Sequence, residues 1–331
     1  MRVLSTGTVM VDILAVGLGA IAEPGAVVYA SREIETRIGG HPIDVAIDLV
    51  RMGVDPADVA LVAAVGEGTY GTFVRSIVES YGMTAYLQSV PDRDTGRNLV
   101  LQVAGEDRRF HIDPGANWVL DPGYVIEAVR SWSPAVMTLR PGYSGIDLNL
   151  ADVLATAGDA VVLLDVMAPH PSRPAGFLEP ALRRADIVHC NEIEARTAMN
   201  VSALDDAVRA ILSHGVRLVF VTSGDAGVSA FTRTHRITQR GYRVDAVDAT
   251  GCGDAFCAGL ALALDLPGVE ALGRDPDSVV DLLTLAQAVG ASAATAVGCV
   301  EGVSTSLVER LVADQGTDLR VDTTVGTHEL A

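Results

Sequence analysis

The sequence has few aromatic residues and few positive charges. Aromatic side chains make up 5% of its 331 residues, which favours buried parallel strands and closely packed helices over an aromatic-rich β-sandwich. Lys and Arg number 24 against 42 Asp and Glu, giving a formal charge of -18. An acidic surface repels nucleic-acid phosphates, and no basic stripe with interleaved aromatics is present. The sequence therefore argues against a nucleic-acid partner.

Cysteine is also scarce, and its spacing excludes two kinds of site. The chain has four cysteines, and none of them forms a Cys-x-x-Cys pair: Cys190, Cys252, Cys257 and Cys299. A chain of this length does not need a disulfide scaffold, and structural zinc sites require closely paired ligands that are missing here. The thiols are therefore expected to be reduced, which fits a cytoplasmic protein.

The N-terminal region lacks an apolar run long enough for a membrane span. Residues 1–22 imitate a signal peptide, because Arg2 precedes an apolar stretch that ends in a cleavage-like Ala-Ile-Ala. Asp12 interrupts that stretch, however, and the uninterrupted part, Ile13–Ala22, is too short to cross a bilayer. We therefore expect two buried strands here, the first near Arg2–Ser5, and no membrane partner.

Apolar runs typical of strands alternate with helical patterns along the chain. The predicted strands are Val59–Val65, Ala135–Leu139, Ala160–Asp165, Ile187–Cys190 and Leu218–Thr222. The predicted helices are Ile43–Met52, Gly71–Tyr81, Tyr124–Ser131, Leu148–Ala157, Ala203–Ser213, Gly253–Leu264 and Ser278–Ala296. This alternation predicts an α/β fold with a mainly parallel sheet covered on both faces. Ligands bind beyond the carboxyl ends of the strands in such sheets.

Two segments depart from that alternation. Ala26–Ile38 is predicted to form strands with little helix between them, and Arg97–Ile112 to form a hairpin around a turn at residues 104–107. Together they indicate a small β-layer that could cover a ligand as a lid. The alternative is an edge hairpin of the main sheet. The tail after Gln315 is polar and lacks periodicity, so it is predicted to be a short terminal strand or partly disordered.

The most informative stretch is Val247–Phe256, with the letters VDATGCGDAF. It follows a β-like segment, Ile237–Val247, and leads into a strongly helical run. Gly251 and Gly253 permit a tight turn at the helix start, where free N–H groups and the helix dipole favour phosphate oxygens. Two interpretations of Asp254 stay open on this pattern alone. It caps the helix, or it takes a proton from a substrate hydroxyl while nearby N–H groups hold a transferring phosphoryl group.

This stretch resembles the C-terminal signature of the ribokinase (PfkB) family of carbohydrate and nucleoside kinases, roughly Asp-Thr-x-Gly-Ala-Gly-Asp-x-Phe. The glycines, Asp254 and Phe256 match, whereas Thr250 stands one position late and Cys252 replaces the usual Ala. Further segments match other family signatures in the same order along the chain. They are Gly39–Gly53 for Gly-Gly…Asn-x-Ala…Leu-Gly, Gly115–Asn117 for Gly-Ala-Asn, Asn191–Glu194 for Asn-x-x-Glu and Thr222–Gly227 for Thr-x-Gly-x-x-Gly. The resemblance covers about residues 1–312.

The resemblance implies a ribokinase-like three-layer α/β/α fold with a mostly parallel central sheet and a small β-sheet lid. It implies a single domain over residues 1–331, with lid segments at about 13–38 and 97–112. The expected activity is transfer of the γ-phosphoryl group of ATP, with Mg²⁺, to a hydroxyl of a small sugar, polyol or nucleoside. Family habit also implies a homodimer through the β-lid. Some relatives bind K⁺ near the positions of Asp248 and of the loop that follows the helix at Gly290–Cys299, and the sequence leaves K⁺ open here.

The same resemblance assigns expected roles to the matching residues. Asp254 is the expected base, and the expected anion hole consists of Gly251, Cys252 and Gly253. The residues expected to hold the substrate are Asp12, Gly39, Gly40 and Asp44. The residues expected on the nucleotide side are Asn191, Thr222, Gly224 and Gly227. Glu194 would organise Mg²⁺ through water, because magnesium keeps much of its hydration; its local pattern alone indicates a solvated carboxylate at a helix start.

Two departures from the family pattern bear on the chemistry. Asp44 stands where Asn is usual, and an ionised carboxylate only accepts hydrogen bonds. It favours hydroxyl or amino donors and disfavours a phosphorylated substrate, so we expect a neutral one. Cys252 lies at a helix N-terminus, where a thiol can have a lowered pKa and react. The alternative is that it only fills the small position of Ala.

Competing functions and additional cations complete the expectations. Five side chains are candidate pocket cations, although each alone is more often a surface residue: His41, Arg108, Arg109, His111 and Arg140.

A catalytically idle sugar or nucleotide sensor on the same fold is the main alternative, supported only by the two departures above. A nicotinamide-dependent dehydrogenase would share a doubly wound sheet. It would need a Gly-x-Gly-x-x-Gly turn after the first strand, where Gly7 stands alone.

Overall fold

The computed structural model describes residues 1–106, 108–264 and 275–327. The strands in these ranges are β1 (Val3–Thr6), β2 (Met10–Leu18), β3 (Glu35–Gly39), β4 (Val59–Gly66), β5 (Thr84–Val90), β6 (Gly96–Val103), β7 (Arg109–Asp113), β8 (Val136–Leu139), β9 (Val161–Asp165), β10 (Ile187–Asn191), β11 (Leu218–Thr222), β12 (Val228–Phe231), β13 (His235–Gln239) and β14 (Thr324–Thr327). The α-helices are α1 (His41–Arg51), α2 (Thr69–Tyr81), α3 (Pro122–Trp132), α4 (Leu150–Ala155), α5 (Glu179–Leu182), α6 (Glu192–Met199), α7 (Leu204–Ser213), α8 (Cys252–Ala263), α9 (Pro276–Ala293) and α10 (Thr305–Asp322).

The large sheet has the strand order β14-β13-β12-β11-β10-β9-β8-β1-β4-β5. All pairs from β11 to β5 are parallel, and the pairs that join β11, β12, β13 and β14 are antiparallel. Every residue of β4, Val59–Gly66, is buried, which is the pattern of a strand covered on both faces. The predicted mostly parallel α/β sheet is confirmed.

Helices form a layer on each face of the large sheet. On one face α1, α2, α8 and α9 pack against the strands through a continuous apolar core that includes Ile47 and Leu260. On the other face α3 to α7 bury a second core that includes Val129 and Val208. These two cores give the three layers expected of the fold, because a sheet with two apolar faces needs cover on both.

A small separate sheet has the strand order β3-β2-β6-β7. Strands β6 and β7 form an antiparallel hairpin across the turn predicted at residues 104–107, of which Asp107 lies outside the described residues. Strand β2 begins four residues after the end of β1, so the small sheet is attached at the carboxyl edge of the large one. The edge-hairpin alternative is thereby wrong. The extent of a lid and of a single domain stay predictions.

Two local expectations are wrong, and a third is right only for its last residues. Within Ala26–Ile38 the only strand residues begin at Glu35, and the part before it has no regular structure. Strand β13 ends at Gln239 rather than near Val247, because its partner β12 begins at Val228, opposite Gln239. The chain beyond Gln315 stays helical to the end of α10, whose buried side includes Leu311 and Leu319, and the predicted short terminal strand follows as β14. Most of α10 is polar and only a narrow stripe of it is buried, so its sequence shows little of the apolar periodicity that predicts a helix.

The N-terminal apolar stretch lies inside the fold. Its first part is β1, a fully buried central strand, and most of Ile13–Ala22 belongs to β2 in the small sheet. Among the described residues no helix combines the length and apolar character that a bilayer crossing requires. The cytoplasmic location suggested by the cysteines stays a prediction.

Candidate active site

Polar side chains gather beyond the carboxyl ends of the central strands. Asp165 is the last residue of β9, and Arg140 follows β8 directly. His189 lies within β10, in a run that is otherwise apolar and buried. Because neighbouring parallel strands end at the same edge, these side chains meet above the sheet, opposite the start of α8.

A glycine turn brings α8 to this edge. Gly251 adopts φ 76°, and a Cβ atom there would lie 2.3 Å from the carbonyl oxygen of Cys299. Only glycine fits such a left-handed, closely packed position. Phe256, one turn along the helix, packs on the ring of His189 at 5.1 Å and on that of Phe220 at 5.8 Å between centroids. The first-turn N–H groups of α8 lack intrahelical partners, and they lie beside the cluster, since a Cβ atom on Gly253 would be 3.3 Å from the ring of His189.

Asp254 lies in the first turn of α8, and one of its oxygens is held by two donors. His41 Nδ1 lies 2.8 Å from Oδ1, and Arg140 Nη2 lies 3.0 Å from the same atom. The Asp254 side chain is 7% exposed, while that of His41 is fully buried. Since both contacts are made to Oδ1, the second oxygen of Asp254 is the one available to a ligand.

Asp165, at the end of β9, binds Arg140 and His189 and so fixes the side chains beside Asp254. Arg140 Nε donates to Oδ2 of Asp165 at 2.5 Å, and His189 Nδ1 lies 2.7 Å from Oδ1. Burial alone would raise the pKa of Asp165, but Arg140 and His189 outweigh it and hold that pKa well below its usual range. Burial likewise opposes the charge of Arg140, yet Asp165 and Asp254 raise the pKa of its guanidinium well above its ordinary value. The two residues form a permanently charged pair under Asp254.

His41 connects the cluster to the central strands. Its Nε2 atom lies 3.1 Å from the hydroxyl of Thr138 in β8, which in turn lies 2.6 Å from the hydroxyl of Ser5 in β1. Burial disfavours the charged imidazole, but hydrogen bonds with Asp165 and Asp254 prevail and raise the pKa of His41 above its ordinary value. Both ring nitrogens therefore have partners, which fixes the orientation of the ring.

Asp12 and the glycine pair meet on the small sheet. Asn98 in β6 donates its Nδ2–H to Oδ1 of Asp12 at 3.1 Å, and Cys299 Sγ lies 3.5 Å from Oδ2. A Cβ atom on Gly39 would lie 2.3 Å from the Oδ2 atom of Asp12, so any larger residue there would displace this carboxyl group. Burial, partly offset by the hydrogen bonds from Asn98 and Cys299, raises the pKa of Asp12 to about 6.

Asp44 in α1 accepts the N–H of Gly40 at 2.9 Å through Oδ2. Its Oδ1 atom is buried and has no hydrogen-bond partner among the described residues. Burial, reinforced by the charges of Asp254 and Asp12, raises the pKa of Asp44 well above its ordinary value. Burial does the same to Asp48, one turn further along α1. The protonated form of Asp44, unlike the ionised form assumed from sequence, both donates and accepts hydrogen bonds as Asn does.

Asn191 and Glu194 form a reciprocal cap on α6. The Oδ1 atom of Asn191 accepts the N–H of Glu194 at 2.9 Å, and Oε2 of Glu194 accepts the N–H of Asn191 at 2.8 Å. This is the capping box of a helix start, and it accounts for both residues locally. Burial raises the pKa of Glu194, and the nearby Asp165 adds to that rise. The cap holds Glu194 beside the cluster through its Oε2 atom, and the Oε1 atom takes no part in the cap.

Thr222, Gly224 and Gly227 lie on the turn after β11, next to the same edge. The hydroxyl of Thr222 lies 3.3 Å from Nε2 of His189, which ties the turn to the Asp165 cluster. The strand order places β11 beside β10. The residues expected on the nucleotide side are therefore at the carboxyl edge, on adjacent strands.

Comparison with known proteins agrees with this geometry. The profile of the pfkB family carbohydrate kinases matches residues 2–306. The chain belongs to the pfkB family of carbohydrate kinases. It is a phosphotransferase, and the dehydrogenase alternative is wrong.

Individual relatives show the same relationship. The kinase is 25% identical over 326 residues to Fructokinase-1 of Oryza sativa subsp. japonica, covering 92% of this chain and 95% of that protein. Its fold matches the crystal structure of a fructokinase with bound ATP from Xylella fastidiosa, with a TM-score of 0.78, 23% identity, and coverage of 95% and 99%. It also matches a candidate ribokinase II from E. coli in complex with ATP and Mg²⁺, with a TM-score of 0.75, 20% identity, and coverage of 94% and 99%.

The other side of the glycine turn in this kinase is held by Asp248. Its Oδ1 atom accepts the N–H of Thr250 at 3.0 Å, and its Oδ2 atom accepts the N–H of Gly298 at 3.0 Å. Arg108, which follows the β6–β7 turn, reaches Oδ1 of Asp248 with Nη1 at 2.8 Å and also contacts the hydroxyl of Thr250. Burial, lessened by the charge of Arg108, raises the pKa of Cys252 to about 12. The idea of an activated thiol at Cys252 is therefore not supported.

The structure distinguishes among the candidate cations. His41 and Arg140 lie against Asp254, and Arg108 lies against Asp248. Arg109 is instead exposed and paired with Glu106, and His111 is exposed in the edge strand β7. The sequence analysis missed Asp165 and His189 altogether. Their signal was a charged or polar residue within a predicted buried strand, which needs an explanation because burial of an unpaired charge is costly.

Proposed function

We propose that this kinase transfers the γ-phosphoryl group of ATP to a hydroxyl of a small neutral sugar or polyol, with Asp254 as the base. The observation that carries this proposal is the orientation of Asp254 at the glycine turn. His41 and Arg140 hold its Oδ1 atom, so the other oxygen can face a substrate hydroxyl, and the first-turn N–H groups of α8 lie within the same turn. A general base must be held within hydrogen-bond distance of the proton that it accepts.

The chemistry assigned to these residues is a single displacement. The substrate hydroxyl gives its proton to Asp254 while its oxygen forms a bond to the γ-phosphorus. The bond from that phosphorus to the bridging oxygen breaks, and ADP leaves with the electron pair. The amides of Gly251, Cys252 and Gly253 would stabilise the charge on the phosphoryl oxygens as an anion hole. Most of the catalytic effect in such a step comes from positioning and charge stabilisation.

Nucleotide and metal are assigned to the neighbouring strands. Thr222, Gly224 and Gly227 would contact the nucleotide, and Asn191 and Glu194 would approach the phosphates through water. The capping box leaves Glu194 one oxygen beyond its backbone contact, which fits an indirect magnesium ligand. Mg²⁺ supplies charge neutralisation of the phosphates when bound. The E. coli complex with ATP and Mg²⁺ on the same fold supports this assignment.

Asp12, Gly39, Gly40 and Asp44 would hold the sugar. Besides burial, the charge of Asp254 raises the pKa values of both Asp12 and Asp44, so the three carboxyl groups lie close together. Sugar hydroxyl groups can donate hydrogen bonds to these carboxyl oxygens and accept one from a protonated Asp44, and relatives named fructokinase and ribokinase support an unphosphorylated acceptor. This supports a neutral acceptor. No contact among the described residues favours the catalytically idle sensor, and the relatives are named as kinases.

An ADP-release assay over a panel of acceptors tests the proposal. Fructose and ribose are the first candidates, because relatives are named for them. The panel also includes inositol, a nucleoside, a keto-deoxy sugar acid and fructose 6-phosphate. We expect at least one neutral acceptor to release ADP faster than every phosphorylated one. The proposal is wrong if a sugar phosphate is the best acceptor. Repeating the assay with K⁺ replaced by Na⁺ tests the open question of a monovalent cation.

We further propose a homodimer through the small sheet. Phe110 and Ile112, which share one face of β7, are 50% and 40% exposed, and β7 is an edge strand among the described residues. A second copy could cover these side chains. Sedimentation of the native protein and of a Phe110→Glu variant tests the idea: the variant should shift towards monomer, and a native protein that is monomeric at assay concentration contradicts it.

A further inference from the structure

Buried hydrogen-bond acceptors beside the glycine pair lack a matching donor. The Oδ1 atoms of Asp44 and Asn98 have no hydrogen-bond partner among the described residues, although Asp44 is only 1% exposed and Asn98 only 8%. Oδ2 of Asp12 is contacted by the thiol of Cys299 at 3.5 Å, and a thiol is a weak donor. A buried acceptor without a donor costs free energy, so a ligand that supplies donors should bind here.

These acceptors surround a single dipeptide. Asp12 and Asn98 stand opposite each other in β2 and β6, and the amide of Asn98 donates to Asp12 at 3.1 Å. Gly39 passes directly beside Asp12, and the N–H of Gly40 donates to Asp44 at 2.9 Å. Burial, reinforced by neighbouring charges that include Asp12, raises the pKa of Asp44 well above its ordinary value. The two carboxyl groups therefore flank the same small space.

Two arginines near this space are paired with other acids. Arg37 stands opposite Asp12 in the register of β2 and β3, but its Nε atom lies 3.7 Å from Oε1 of Glu301. Arg140 contacts Asp254 at 3.0 Å, in the cluster beside the proposed base. The whole chain carries a formal charge of -18, which also attracts cations. The acids beside the glycine pair are thus matched to a ligand that brings its own positive charge.

A hydroxyl group and a protonated amino group would satisfy these acceptors differently. A hydroxyl brings one donor and two lone pairs, and lone pairs are not matched to carboxyl oxygens. A protonated amine brings three donors, a positive charge and no lone pair. Its hydrogen bonds to a carboxylate are charge-assisted, and its charge favours the ionised form of a buried acid. An amine therefore fits this part of the pocket better than a hydroxyl does.

We propose that this kinase prefers an amino sugar or amino polyol, whose protonated amine binds between Asp12 and Asp44. The three donors of the amine can be accepted by these two carboxyl groups and by Oδ1 of Asn98. The inference rests on the proposed function and goes beyond its neutral acceptors. The chemistry is unchanged: a hydroxyl of the same molecule gives its proton to Asp254 and attacks the γ-phosphorus. The protonated nitrogen has no lone pair, so it is not phosphorylated.

Matched pairs of acceptors test the preference. ADP release is measured for glucose and glucosamine, for fructose and 1-amino-1-deoxyfructose, and for sorbitol and 1-amino-1-deoxysorbitol. We expect kcat/KM of at least one amine to exceed that of its parent by about 10- to 100-fold, as for a hydrogen bond to a charged group. The N-acetyl derivative of that amine keeps the nitrogen without the charge and should lose the gain. The inference is overturned if every parent is as good as its amine.

Asp44→Asn tests which residue recognises the amine, because it keeps the size of the side chain and removes its charge. We expect it to lower the ratio of kcat/KM for the amine to that for its parent by at least about tenfold. Asp48→Asn is the matched control. Asp48 is equally buried but lies one turn further along α1, away from the glycine pair, so the ratio should stay within about twofold of native. Melting temperatures check that both variants are folded, and an equal loss in both overturns the proposal.

Calorimetry separates a failure of this inference from a failure of the proposed function. If neutral sugars are phosphorylated and no amine is better, the proposed function stands and the inference is wrong. If neither member of any pair is phosphorylated, the proposed function fails, and the affinities of amine and parent still decide the inference. Tighter binding of an amine than of its parent, lost in Asp44→Asn, supports it, and equal affinities overturn it.

Discussion

The Nδ1 atom of His41 lies 2.8 Å from the Oδ1 atom of Asp254, although the two residues are 213 positions apart. His41 begins α1, directly after the glycine pair, and Asp254 lies in the first turn of α8. The contact therefore joins the segment expected to hold the sugar to the segment expected to carry the base. It also sets which oxygen of Asp254 is left for chemistry.

Two substitutions of His41 test whether this contact positions the base. Asn can place an amide N–H where Nδ1 of His41 lies, whereas Leu fills the space without a donor. We expect His41→Leu to lower kcat by about 10- to 100-fold, matching the roughly 1.5–3 kcal/mol of a hydrogen bond to a charged group. His41→Asn should recover most of that loss. Steady-state kinetics and melting temperatures of both variants check this, and equal kcat for His41→Leu and native protein would contradict it.

A pair of substitutions at Asp44 tests the state of its carboxyl group. Burial raises the pKa of Asp44 well above its ordinary value, which favours the protonated group, and that group resembles Asn in its hydrogen bonding. We expect Asp44→Asn to keep kcat/KM for a neutral sugar within about tenfold of native, and Asp44→Leu to lose far more through a higher KM. If Asp44→Asn is as damaging as Asp44→Leu, an ionised carboxylate is required.

The pKa of Asp12 predicts a pH dependence of stability. Burial raises it from 3.8 to about 6, so the folded protein binds a proton more tightly than the unfolded chain. The free energy of unfolding should therefore fall as pH rises from about 4 to about 6, by at most about 3 kcal/mol from this group. Asp12→Asn should lack this decline. Urea unfolding of both proteins at several pH values measures it, and parallel curves would contradict the prediction.

Cys252 should be an unreactive thiol. With a pKa of about 12, only about one molecule in ten thousand carries the thiolate near pH 8. We expect iodoacetamide to inactivate the kinase slowly, and Cys252→Ala to keep kcat within about threefold of native. Rapid inactivation that bound nucleotide prevents would show that the thiol is reactive after all.

The sequence predicted those parts of the fold that depend on local pattern. The apolar run of β4 and the glycine turn before α8 follow from side-chain periodicity and from the conformational freedom of glycine. The β6–β7 hairpin follows from turn chemistry in the same way. By contrast, the whole of α10 was missed, because a helix with a narrow buried stripe shows little apolar signal.

The cluster around Asp254 could not be predicted, for a different reason. Asp165 and His189 lie in two strands and Arg140 directly follows a third, and a polar residue in a buried strand indicates a partner without identifying it. Only the parallel pairing of β8, β9 and β10 brings them to one edge and balances their charges. The raised pKa of Asp44 is likewise a consequence of burial and of neighbours distant in sequence, which the local pattern does not show.

The turnover number of Asp254→Asn tests the central claim most directly. The amide keeps the shape of the carboxylate but cannot accept the hydroxyl proton. We expect kcat for the best acceptor to fall by about 100- to 10,000-fold, while the affinity for ATP measured by calorimetry stays nearly native. Turnover by Asp254→Asn at the native rate, with the same acceptor and the same nucleotide affinity, would contradict the assignment of Asp254 as the base.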